Sequence, residues 1–125
     1  MLGSMQIVAF APTKDGKKAR PFYEDLLGLR FVSEDNFALV LDANGTTLRV
    51  GKVSDFKPQA FTILGWHVPD IHKAGSTLGD KGVKFESYGL PGQDADGFWT
   101  APGSAAKVAW FKDPGGNILS LSQIP

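Results

Sequence analysis

The sequence predicts an α+β fold built from two successive strand–helix–strands modules, and three spaced matches carry that prediction. Gly28-Leu29-Arg30-Phe31 returns as Gly82-Val83-Lys84-Phe85 at an offset of 54, and Asp15 with Ala19 answers Asp70 with Ala74 at 55. DANGTTLRV (Asp42 to Val50) then meets DPGGNILSL (Asp113 to Leu121) at 71, with Asp, Gly, Leu and a final aliphatic in register. Matches that hold an offset over most of a chain mark a duplication. The jump in offset from 54 to 71 places 17 extra residues in the middle of the second copy.

Each element follows from local pattern. Gln6 to Ala11 is a short apolar run suited to a strand. Asp15 is placed to cap a helix whose apolar face is Ala19, Phe22, Tyr23, Leu26 and Leu27, and Gly28 sits where a helix-ending glycine belongs. Pro21 conflicts with a regular helix, which either starts there or is kinked there. Leu29 to Ser33 and Phe37 to Leu41 read as strands, and Asn44-Gly45 is a hairpin signal leading to Thr46 to Val50. In the second copy Phe61 to Val68 is a strand, Asp70 caps a helix carrying Ile71, Ala74, Gly75 and Leu78, and Gly82 ends it. Val83 to Phe85 is expected to pair back. Lys107 to Phe111 and Asn117 to Gln123 form the last hairpin around Pro114-Gly115-Gly116. The extra residues fall in Glu86 to Ala106, a Gly- and Pro-rich loop of a length expected of a functional lid or a mobile connector. The expected layout is one domain, with module one over 6–53, a linker at 54–59 and module two over 60–123.

Composition bounds the chemistry. With 125 residues, 42% hydrophobic and 21% charged, the chain suits a globular domain, and 13 acidic against 13 basic residues point to neither nucleic acid nor an anionic membrane as partner. The absence of cysteine excludes disulfides, thiolate metal sites and a cysteine nucleophile, and agrees with a cytoplasmic protein. Met1 to Met5 is too short and polar for a signal peptide, and no stretch approaches the roughly 18 apolar residues of a membrane span.

Two tandem βαβββ modules, with FYEDLLGLRFV in the first and AWFKDPGGNILSLSQ closing the second, resemble the vicinal oxygen chelate superfamily, which includes glyoxalase I, bleomycin resistance proteins and extradiol dioxygenases. The likeness covers Gln6 to Gln123. It implies sheets curled around a central cavity with helices on the convex side, and a homodimer. Metal-using members take His, Gln or Glu ligands from the first and last strand of each module. By the Asp landmarks those positions fall on Val8, Arg49, Ile63 and Ser120, none of which is a suitable ligand. A shifted register offers Gln6, Leu64 or His67, still too few, so neither metal nor another cofactor is expected.

Alternation of side chains along strands then assigns the cavity. Leu48, Val50, Leu119 and Leu121 should pack on helices, leaving Thr47, Arg49, Ser120 and Ser122, with Val8, Phe10, Ile63, Gly65 and His67, on the concave side. Arg49 is the candidate for binding a carboxylate or phosphate bidentately, the alternative being a pair with an acid such as Asp42. His67 offers proton transfer or a hydrogen bond to a ligand oxygen, the alternative being a structural role. Phe98 and Trp99 are candidates to close over a planar ligand, or else form a small satellite core or a dimer contact. Trp110 and Phe111 are assigned to the core, and Asp42 and Asp113 to fixing turns. The leading reading is a metal-independent binding protein for a small molecule with an acidic or carbonyl end. The alternative is a lyase, isomerase or dioxygenase-type enzyme, using a metal or His67. A third is an interaction domain whose pocket is filled by Phe10, Phe98 and Trp99.

Overall fold

Asp15 and Asp70 start both helices as their positions predict. In the computed structural model, which describes residues 1–125, Lys17 and Lys18 N–H donate to Asp15 Oδ1 at 3.0 and 3.3 Å, and Lys73 N–H donates to Asp70 Oδ1 at 3.1 Å. These caps satisfy N–H groups that a helix cannot satisfy itself. The chain divides into two compact units, Met1–Pro58 and Gln59–Pro125.

The first unit contains β1 (Val8–Thr13), α1 (Gly16–Arg20), β2 (Arg30–Glu34), β3 (Ala38–Ala43) and β4 (Thr46–Lys52), in one sheet of order β1-β4-β3-β2. The first pair is parallel and the others antiparallel. Pro21 resolves the conflict in the sequence. The helix runs on through it but widens to a π-helical turn over Pro21–Leu26, with Leu27 N–H donating to Phe22 C=O at 2.9 Å. A proline N has no hydrogen to give, and the wider turn re-pairs the backbone beyond it. Phe22 and Tyr23, edge to face at 5.1 Å, are buried, as are Leu39, Leu41, Leu48 and Val50 of the sheet. Burial of each such side chain stabilises by about 1.5–3 kcal/mol.

The second unit contains β5 (Thr62–His67), α2 (Ile71–Asp80), β6 (Trp99–Thr100), β7 (Lys107–Lys112) and β8 (Ile118–Gln123), in a sheet of order β5-β8-β7-β6. Ile71, Ala109, Phe111, Leu119 and Leu121 form its core. Gln123 Oε1 accepts from Ile71 N–H at 2.8 Å, tying the last strand to the start of α2. Asp113 closes the final turn through Oδ1, which accepts from Gly115 and Asn117 N–H at 3.0 and 2.9 Å. Gly28 and Gly82 end the two helices at φ of +78° and +97°, a backbone region that favours glycine.

Two expectations are corrected. Val83 to Phe85 forms no strand, and the edge position goes to β6 inside the inserted loop. The Gln93 side chain takes over much of the pairing there: its Nε2 donates to Glu86 and Gly97 C=O at 3.0 Å each, and its Oε1 accepts from Tyr88 N–H at 2.9 Å. One backbone hydrogen bond joins this segment to β7, from Glu86 N–H to Trp110 C=O at 2.7 Å. Trp110 is not core. It is the cross-strand neighbour of Ser120, so it points away from the face that holds Phe111 and Leu119.

Candidate functional site

Each sheet keeps one face free of its own helix, and strand register decides what that face carries. In the first unit Val8 and Phe10 stand opposite Thr47 and Arg49, and Val40 flanks Arg49 from the other side. Val8 and Phe10 are 45% and 65% exposed. Asp42, the expected alternative partner of Arg49, instead meets Arg30 at 3.9 Å and accepts from Gly45 N–H at 3.3 Å. Arg49 is half-buried, and no carboxylate lies within salt-bridge distance of it. Its charge helps hold the Asp35 carboxyl below its usual range, behind the larger effect of hydrogen bonds from Phe37 and Ala38 N–H. The result is a fixed cation on an apolar sheet face, a geometry suited to an anionic oxygen pair.

In the second unit a register shift between Thr62 and Leu64 displaces Ile63, after which Gly65 and His67 stand opposite Ser120 and Ser122. Val108 and Trp110 join the same face from β7, and Trp99 from β6. Three rings adjoin there: Trp99 and Trp110 have centroids 6.0 Å apart, and Tyr88 meets Trp110 edge-on at 5.5 Å. Trp99 Nε1 donates to Pro91 C=O at 3.0 Å, which fixes the indole. Burial first, and then the nearby Glu86 charge, push the Tyr88 phenol up, so it stays a neutral donor at neutral pH. Glu86 itself pairs with Lys112 at 3.2 Å. Flat π surfaces beside hydroxyls and an imidazole can take a planar molecule with polar edges.

Of the residues singled out from sequence, Phe10 and Arg49 share one face in the first unit, and His67, Ser120, Ser122 and Trp99 share one in the second. Phe98 does not join Trp99. Adjacent residues of a strand point to opposite sides. Phe98 therefore packs toward α2, 4.5 Å from the His72 ring and 5.5 Å from Phe85, as a satellite core. Sequence reasoning missed Tyr88 and Trp110. Alternation from Phe111 would have placed Trp110, whereas the irregular path of the inserted loop gives Tyr88 no periodic signal.

The model of the Glyoxalase/Bleomycin resistance protein/Dioxygenase superfamily matches residues 6–121. The chain belongs to this superfamily. Its fold is similar to a solved superfamily member from Sphaerobacter thermophilus, with 23% identity, TM-score 0.72, and 98% of this chain and 99% of that chain covered. A superfamily protein from Alicyclobacillus acidocaldarius gives 16% identity and TM-score 0.71, covering 97% and 92% of the two chains. Lactoylglutathione lyase from Agrobacterium tumefaciens gives 12% and 0.72, covering 96% and 93%. At these identities the likeness shows the fold. No curated protein sequence matches.

The residues at the positions that the resemblance implies for metal ligands do not fit a metal. The topology puts Val8 and Arg49 on one open face and Ser120 on the other, but supplies an aliphatic chain, a cation and a hydroxyl. No three His, Cys, Asp or Glu side chains come together anywhere in the chain. No helix is long and apolar enough to cross a membrane.

Proposed function

We propose that the chain is a metal-independent small-molecule-binding member of the superfamily, a cytoplasmic homodimer whose ligand carries an acidic or carbonyl end. The observation that carries this reading is Arg49, a guanidinium without an ion-pair partner, at the position where the resemblance implies a metal-binding side chain. A guanidinium binds a carboxylate directly through two parallel hydrogen bonds, so the anchoring that a metal gives other members needs no metal. Phe10 and Val8 flank it with exposed apolar surface. Taken by itself, the open face of the second sheet suits a planar group, with the flat faces of Trp99 and Trp110 beside His67, Ser120 and Ser122.

The enzymatic alternative draws less support. A catalytic imidazole is normally oriented by a partner on its other nitrogen. His67 has no such side-chain partner.

Thermal melting with 2-naphthoate as probe, in the presence and absence of a chelator, tests the reading. It predicts a rise that the chelator leaves intact, that Arg49→Ala abolishes and that Arg49→Lys only partly restores. A rise that requires added divalent metal, or one that Arg49→Ala leaves unchanged, contradicts it.

A further inference from the structure

The helix side of the second unit has a feature outside the face just described. His72, Gly75 and Ser76 lie at helix spacings that bring them to one side of α2, and with Phe85, Asp96 and Phe98 they enclose a notch of about 310 Å³. That volume lies at the lower end of the range of about 300–1,000 Å³ found for small-molecule sites. Gly75 shapes it. A Cβ at that position would come within 2.5 Å of Phe98 Cζ, so only glycine lets the ring lie against the helix.

The opposite rim is fixed rather than loose. Asp94 Oδ1 accepts from Asp96 N–H at 2.9 Å and from Phe98 N–H at 3.0 Å, while Phe98 C=O accepts from Asp94 N–H at 2.9 Å. This turn holds Asp96 at the mouth, where its carboxylate has no ion-pair partner. No lysine or arginine lines the notch. Its chemistry is therefore one negative charge, one hydroxyl and one imidazole over two phenyl rings. A carboxylate with aromatic π-faces is the combination that holds organic cations. An anion would meet Asp96, and a purely apolar molecule would strip water from Asp96 and Ser76 without replacing it.

We propose that this notch binds a small organic ammonium ion with one apolar substituent, the charge at Asp96 and the substituent against Phe85 and Phe98. The site is independent of the ligand face that carries Arg49 or His67.

Titration of the full chain with benzylammonium and with its neutral isostere benzyl alcohol, followed by amide NMR, tests the site. Benzylammonium is expected to shift residues 72–76 and 96–98 and to bind roughly fivefold tighter than the alcohol. Asp96→Asn should bring the two to equal affinity. Ser76→Trp, an exposed substitution that fills the notch, should abolish both. Equal binding of the two probes to the unaltered chain, or binding that survives Ser76→Trp, would overturn the proposal. So would shifts centred on His67, Trp99 and Trp110, which would report the other face.

Discussion

In the first module the sheet edge opposite β1 is the five-residue strand β2, whereas in the second the edge opposite β5 is the two residues of β6, reached through the inserted loop. The repeat offset of 55 sets Arg20 against Gly75, and these two residues show how each edge is held. Arg20 stacks over Phe31 at 3.8 Å and bonds Glu24 at 2.9 Å and Glu34 at 3.5 Å, with Lys52 closing on Glu34 at 2.8 Å. Gly75 offers nothing but space, and Phe98 occupies it. One module fastens its edge with charges on an aromatic ring, the other with a ring packed onto bare helix backbone. Duplication thus preserved strand order while the device securing the edge diverged, and the two devices should fail under different insults.

The sharpest contrast lies within β7. Phe111→Ala should destabilise by about 3–5 kcal/mol in urea unfolding, since it empties a fully buried site. The neighbouring Trp110→Ala, on the open face, should cost less than about half of that. Equal costs would mean that the two faces are not distinct. Next, Gly75→Val should cost about 1–3 kcal/mol by overpacking against Phe98. Arg20→Ala, which breaks a partly exposed network, should cost less than Gly75→Val.

Acid should separate the edges in the opposite sense. The hydrogen bond from Lys52, with the charges of Lys52 and Arg20, holds the Glu34 carboxyl below its ordinary value of 4.5. A lowered carboxyl stabilises fully above its unfolded value and loses that contribution as pH falls through the folded one. Stability should therefore decline more steeply below about pH 4.5 in the unaltered chain than in Glu34→Gln, read from urea midpoints against pH. Parallel curves would show that the ion pair contributes nothing. The smallest effect is expected at Arg49→Ala, within about 0.5 kcal/mol of the unaltered stability, because no ion pair is lost.

What the sequence disclosed was what repeats locally. The capping aspartates, the helix-ending glycines, the Asn44-Gly45 hairpin and the alternation that sends Leu119 inward and Ser120 outward are all set within a few residues. The edge of the second sheet was illegible, because Gln93 replaces a strand's backbone pairing with a single amide side chain, which leaves no periodic trace. Likewise nothing near Arg20 in sequence announced Glu34 as its partner, or Lys52 as the second cation on Glu34. The candidate site was legible by sheet face and not by neighbour. Arg49, His67, Ser120 and Ser122 follow from register, whereas the separation of Phe98 from Trp99 depends on a two-residue strand that no pattern marks. Pro21 raised the right question, and the π-helical turn answered it.

The most direct test is metal content and melting of the protein purified without a chelating tag, with and without Ni, Zn, Mn, Fe or Co. Metal well below one equivalent per chain, and melting temperatures unchanged to within about 1 °C, are predicted. One equivalent of bound metal, or a rise of several degrees with any of these ions, would contradict the account and return Val8, Arg49, Ile63 and Ser120 to question.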